Sequence, residues 1–238
     1  MKTIGIIGGM SAESTAHYYA HINAATQARL GGLHAAEIIL WSVNFAPIAA
    51  MQAQGNWAAA GRKLADVAAR LERAGADVII LATNTMHKLA AEIEAAITVP
   101  FIHIADATAA EVKAAGLKCP GLLGTAFTME QDFYTGRLRA RHGLDVITPE
   151  AVDRADTHRI IYDELCMGIV SDASRKLYVD IAERLVARGA DCLILGCTEV
   201  AMLLNQHNVS VPVFDTAAIH AQAAVDHALA DHILLAAE

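Results

Sequence analysis

The chain has 238 residues, 55% of them apolar, and a formal net charge of −8. That is enough apolar sequence to bury one large core or two small ones, and an acidic balance without a basic patch excludes a nucleic-acid or anionic-membrane surface. No uncharged run is long enough to span a bilayer.

The amino terminus goes directly into Ile4-Gly5-Ile6-Ile7-Gly8-Gly9, without the longer apolar region of a signal peptide. The cysteines are Cys119, Cys166, Cys192 and Cys197, with neither a CxxC pair nor a zinc-ligand spacing. Free thiols in a reducing cytoplasm and no metal are the expectation.

Lys2 to Gly8 reads as a first strand that ends in the turn Gly8-Gly9-Met10-Ser11, followed by a helix over Glu13 to Leu30. Glycines at a strand-to-helix junction let backbone N–H groups approach an anion, although the pattern is not the dinucleotide GxGxxG. A second strand over Ala36 to Val43 leads into a loop carrying Pro47 and Gln52, then a helix over 57–74. The third strand is 77–82, with Thr83-Asn84-Thr85-Met86-His87 at its carboxyl end and a helix beyond. A short fourth strand over Val99 to His103 and a helix over Ala105 to Ala115 complete the first half.

The second half starts over. Gly121-Leu122-Leu123-Gly124-Thr125 echoes Gly5-Ile6-Ile7-Gly8-Gly9, and Tyr134 echoes Tyr18. A helix over 128–141, a strand over 144–147 and a long helical stretch broken near Gly168 lead to a strand over 191–195. Val211-Pro212-Val213-Phe214 echoes Val99-Pro100-Phe101-Ile102, and a last helix runs from Thr216 into the 230s. Residues 182–199 match 68–85 at eight of eighteen positions. One such match arises by chance; three in the same order at nearly constant offset do not.

The chain therefore reads as an internally duplicated α/β protein of two pseudo-symmetric, Rossmann-like halves with parallel sheets. The halves are 1–115, joined by the last helix 216–238, and 116–215. Ligands of such sheets bind beyond the carboxyl ends of the strands, so the active site is expected in the cleft between the halves. Thr83 and Cys197 would occupy equivalent strand ends there.

The motifs Ile4-Gly5-Ile6-Ile7-Gly8-Gly9-Met10-Ser11, Asn84-Thr85-Met86-His87, Gly196-Cys197-Thr198-Glu199 and Phe214-Asp215-Thr216-Ala217-Ala218-Ile219-His220 closely resemble the cofactor-independent aspartate/glutamate racemases. The resemblance covers nearly the whole chain. It implies a small acidic amino acid as substrate, no cofactor, and a homodimer, since dimers are common in that family. The family uses two cysteines, one on each face of the α-carbon. Here Thr83 stands at the first, so the chain looks like the L-aspartate/glutamate-specific branch with a threonine–cysteine pair.

Family geometry implies that Cys197 faces the α-proton of the L-enantiomer and Thr83 the opposite face. A thiol near its ordinary pKa is a few per cent thiolate at neutral pH, and a following helix N-terminus would raise that fraction. Threonine is a poor base, but its hydroxyl can hand over a proton. No lysine sits in a context for a pyridoxal Schiff base. The carbanion must therefore be stabilised by fixed dipoles, with backbone N–H groups after Gly8, Thr83, Gly124 and Cys197 the candidates.

Asn84, Thr85, Thr125 and Thr198 are candidate side-chain contacts, each equally suited to cap a helix. Met10 and Gln52 match substrate-pocket positions of the family. Glu164 either faces the substrate ammonium or sits on a solvated helix face. Glu199 either tunes the thiol or caps the helix. His87 and His103 flank strand ends, where capping and core packing compete with catalysis. His220, His227 and His232 lie on the last helix without the clustering a metal needs. No arginine falls within the motifs to hold the side-chain carboxylate. Two other functions fit the sequence: a one-thiol decarboxylase resembling arylmalonate decarboxylase, and a sensor of acidic amino acids that has lost catalysis.

Overall fold

Ile4–Gly8 forms β1, and every residue of it is buried, as expected for a parallel strand covered on both faces. The computed structural model describes the backbone of residues 1–235 and the side-chain surroundings of residues 1–230. The expected helix end at 236–238 and the side chain of His232 lie outside the described residues. The chain divides into two units, Met1–Ile104 with the chain from His220 onward, and Ala105–Ile219.

In unit one, β1 is followed by α1 (Ala12–Leu30), β2 (Ile38–Ser42), α2 (Phe45–Ala53) and α3 (Trp57–Arg73). Then come β3 (Val78–Leu81), a 3-10 turn (Thr85–Leu89), α4 (Ala90–Glu94) and β4 (Phe101–Ile102). The four strands are parallel in the order β2-β1-β3-β4. Ile79 and Leu81 of β3 pack with Leu64, Val67 and Leu71 of α3 in one apolar cluster. Each such fully buried aliphatic side chain contributes about 1.5–3 kcal/mol relative to exposure.

The loop expected at Pro47 is instead helix α2. Asn44 caps it by accepting the Ala46 N–H at 3.2 Å, and Pro47 falls in the first turn, where its missing N–H has no helical partner to lose. From His220 onward α10 (Thr216–Leu235) belongs to unit one, where Ala228 O accepts the Lys2 N–H.

Unit two holds α5 (Ile104–Ala114) beyond its first residue, β5 (Pro120–Gly124), α6 (Ala126–Glu130), α7 (Asp132–His142), α8 (Ala151–Asp163) and α9 (Asp172–Ala187). β6 (Cys192–Gly196), a 3-10 turn (Thr198–Met202) and β7 (Val213–Asp215) follow. The order is β5-β6-β7, all parallel.

Two expectations change here and a third holds. The strand over 144–147 reduces to a single bridge from Ile147 to Gly121. The helix over 128–141 is two helices, because Gln131 is extended (φ −96°, ψ 146°). The break near Gly168 is there, with Gly168 left-handed (φ 74°) and Ser171 capping α9 through the Ser174 N–H.

The duplication is visible in the register. Gly5 pairs with Ile39 and Ile79, and Ile79 with Phe101; Gly121 pairs with Ile147 and Leu193, and Leu193 with Val213. Even the helix ends agree, with Gly75 at φ 103° and Gly189 at φ 101°, backbone that L side chains rarely adopt. No helix among the described residues is long and apolar enough to cross a membrane.

Candidate active site

In unit one the ends of β1 and β3 are level, with Ile7 paired to Leu81. The turn after β1 requires glycine: Gly9 has φ 90°, and a Cβ there would collide with the Val43 backbone. Its N–H donates to Thr15 Oγ1 at 2.7 Å. The amide expected to serve a substrate carboxylate is thus already bonded inside the turn. The Met10–Ser11 peptide that follows is cis, and Ser11 caps α1 through the Ser14 N–H.

Met10 and Gln52, each 6% exposed, meet around Met86. Met10 belongs to the apolar cluster containing Met86, and Gln52 Nε2 donates to Met86 Sδ at 2.8 Å. Past β3, Thr83 is half-buried, while Asn84 and Thr85 are buried. Unit one therefore gathers Met10, Gln52, Thr83, Asn84 and Thr85 around the ends of two neighbouring strands.

In unit two Gly124 pairs with Gly196, so Thr125 and Cys197 are the next residues along adjacent strands. The Thr125 hydroxyl caps α6, accepting the Thr128 N–H at 3.3 Å. Thr198 donates its hydroxyl to Glu199 Oε2 at 2.7 Å.

The Cys197 thiol also donates to Glu199 Oε2, at 3.1 Å. Burial pushes the thiol well above its ordinary pKa, and the Glu199 charge and its bond to the sulfur add to the rise; the Glu199 backbone N–H at the sulfur opposes them and loses. The activation expected from a helix N-terminus is therefore overturned. The element after Cys197 is a five-residue 3-10 turn, and its carboxylate dominates the few aligned dipoles it offers.

Glu164 ends α8 with its carboxylate already engaged. It accepts from Ser174 Oγ at 2.5 Å and Ser171 Oγ at 3.3 Å, and Arg159 Nη1 lies 3.4 Å away. Ser171 is marked in the sequence as a candidate N-cap of α9, but nothing there marks either serine as a partner of Glu164. Among the described residues no three His, Cys, Asp or Glu side chains converge as metal ligands would.

Residues 7–224 match the family model described as Asp/Glu/Hydantoin racemase. A solved structure of a Yersinia pestis protein provisionally assigned as an Asp/Glu racemase is 54% identical with a TM-score of 0.91, covering 96% of this chain and 100% of that one. An aspartate racemase homologue from Pyrococcus horikoshii OT3 is 35% identical with a TM-score of 0.84, covering 96% and 99%. The broad specificity amino-acid racemase RacX of Bacillus subtilis (strain 168) is 29% identical over 171 residues, which are 71% of this chain and 72% of that protein.

Proposed function

This chain belongs to the Asp/Glu/hydantoin racemase family, and from that premise we propose that it interconverts the enantiomers of L-aspartate or L-glutamate without a cofactor, using Cys197 and Thr83. The observation that carries the reading is the matched register: the Gly5–Ile79 and Ile79–Phe101 pairs of one sheet recur as Gly121–Leu193 and Leu193–Val213 in the other, and Thr83 and Cys197 follow corresponding strands. A duplicated scaffold with one proton-transferring group per copy suits a reaction that needs one on each face of a carbon.

In the resting enzyme the Cys197 proton sits on the sulfur and is bonded to Glu199 Oε2. Its transfer to the carboxylate leaves the thiolate, which takes the α-proton of the L-enantiomer and becomes a thiol again. The electron pair of the broken C–H bond is held as an enediolate by backbone N–H groups and the hydroxyls of Thr85, Thr125 and Thr198. Thr83 gives its hydroxyl proton to the opposite face, forming the new C–H bond, and its oxygen regains a proton from solvent while Glu199 releases the one it took. The two enantiomers are equally stable in water, so kcat/KM is equal in both directions. The weak acid at Thr83 slows both.

Incubation with L-aspartate and with L-glutamate in D₂O tests this. The expected result is deuterium at the α-carbon together with the D-enantiomer. Substrate recovered unlabelled and wholly L in both cases would remove the proposal, and would leave the decarboxylase and the sensor as the readings to pursue.

A further inference from the structure

The strand end that carries Thr83 is fastened by a side chain. Beyond β3 the Thr83 N–H bonds to Leu81 O at 2.8 Å, Asn84 takes helical angles, and residues Thr85–Leu89 wind as a 3-10 turn. In an α-helical continuation the Thr83 carbonyl would accept the backbone N–H four residues on. That N–H is His87's, and the tighter turn directs it to Asn84 O at 3.1 Å. The His87 ring takes the place of its own amide: Nδ1 lies 2.7 Å from Thr83 O.

The ring's protonation state follows from its partners. A carbonyl only accepts, so Nδ1 carries the hydrogen. A backbone N–H only donates, and the Ile104 N–H meets Nε2 at 3.2 Å, so Nε2 is bare. Ile104 is the first residue of α5, whose opening N–H groups have no partners within the helix. One neutral imidazole, 2% exposed, thus satisfies the carbonyl of Thr83 and the start of a helix.

The ring cannot turn away easily, because it is packed on several sides. His103 lies 4.5 Å from it between centroids, and Phe101 and His220 each 5.6 Å. His220 is held in turn by the Tyr18 hydroxyl at 2.9 Å and by Ile102 O at 2.8 Å.

We propose that His87 is a positioning residue for proton delivery by Thr83: its Nδ1–H, bonded to the Thr83 carbonyl, fixes the backbone that aims the hydroxyl. The inference rests on the reading of Thr83 as proton donor. A misaimed donor has a specific signature. Cys197 can still remove the α-proton of an L-substrate and return a solvent deuteron to the same face, so exchange with retention continues while inversion falls.

The experiment incubates L-aspartate in D₂O with each variant and measures the ratio of D-enantiomer formed to α-deuterated L-enantiomer. Thr83→Ala comes first and should lower that ratio; an unchanged ratio means Thr83 is not the donor, and the inference falls with that reading. Where Thr83→Ala lowers it, His87→Ala should lower it about ten-fold or more.

His87→Asn, whose amide N–H reaches the place of Nδ1, should keep the ratio within about three-fold of wild type. His87→Gln, whose amide reaches the place of Nε2, should melt near the wild-type temperature yet give a low ratio like His87→Ala. If exchange and inversion instead fall together, leaving the ratio at its wild-type value in every His87 variant, His87 is a fold-stabilising residue only and the inference is overturned.

Discussion

Beyond its third strand unit one carries Thr83, with an imidazole fastened to the carbonyl; beyond the matching strand unit two carries Cys197, with a carboxylate fastened to the sulfur. Several main-chain bonds below those positions are alike. Leu193 bonds to Pro212 O as Ile79 bonds to Pro100 O, both at 2.9 Å, and Ala190 N–H returns to Leu185 O as Ala76 N–H returns to Leu71 O. Ladder positions are tied to both neighbouring strands, so a change there is felt across the sheet. The residue just past the strand has no such ties. There, duplicated copies can diverge in chemistry while keeping their backbone.

The largest effect comes from removing the sulfur. Cys197→Ser should lower kcat/KM by about a thousand-fold or more, because an alcohol is a far weaker base than a thiolate. Substantial turnover in that variant would take Cys197 out of the reaction. The complementary change, Thr83→Cys, makes the two strand ends alike and should raise racemisation in both directions by about ten-fold. An unchanged rate, read by circular dichroism of either enantiomer, would mean that Thr83 does not limit turnover.

The units also differ in which end of the pH scale they resist. Burial holds His220 neutral, drawing its pKa down from 6.5 to about 4. Above pH 6.5 neither folded nor unfolded chain carries the proton. Between 6.5 and 4 only the unfolded chain binds it, so stability is lost as pH falls through that window, by about 3 kcal/mol in all. Urea unfolding at pH 7 and 4.5 should therefore show a smaller acid loss in His220→Gln than in wild type; equal losses would mean the ring protonates in the folded state.

In unit two the Cys197 thiol is raised, so its contribution is present below the ordinary thiol pKa and is lost as pH climbs past it. Glu199→Gln removes the neighbouring charge and should move alkylation of Cys197 to lower pH. The labelling is read against a Cys197→Ser background, which subtracts any signal from the half-buried Cys119 and Cys166. A midpoint that stays in place would mean burial alone holds the thiol up.

Those assignments separate what sequence can carry from what it cannot. The buried strands β1, β3, β5 and β6 were legible because buried parallel strands are unbroken apolar runs flanked by glycine and polar residues, and the offset of 114 from Thr83 to Cys197 follows from that pattern; the strand over 144–147, a single bridge, lacks such a run. Helix α2 was not legible, because Pro47 signals a turn unless the Asn44 cap is seen to put it in a first turn. The break at Gln131 has no glycine or proline to announce it. At the site, residue types named Thr83 and Cys197, but direction is a property of coordinates. That the thiol points at Glu199, that the Gly9 amide turns to Thr15, and that Glu164 is held by Ser171 and Ser174 depend on side-chain torsions that no spacing encodes.

The smallest effect tests how faithful the repeat is at its least chemical point. Asp77 and Asp191 precede equivalent strands, and each carboxylate accepts backbone N–H from the residues that lead into the strand beside it. Asp77 takes the Thr3 N–H at 2.7 Å, whereas Asp191 takes two, from Lys118 at 2.7 Å and Cys119 at 3.0 Å. Burial pushes the Asp191 carboxyl up, but hydrogen bonds from the Lys118 and Cys119 amides, joined by the Cys192 side chain and its own amide, hold its pKa below the usual value. Asp77 is exposed and Asp191 half-buried, so each bond contributes modestly: Asp77→Asn should cost about 0.5 kcal/mol and Asp191→Asn about 1 kcal/mol at pH 7. The Asp191 contribution is lost as pH falls through its lowered pKa, so the difference should narrow in strong acid. Equal costs at pH 7 would mean that the second amide adds nothing and the two copies begin this strand in energetically the same way.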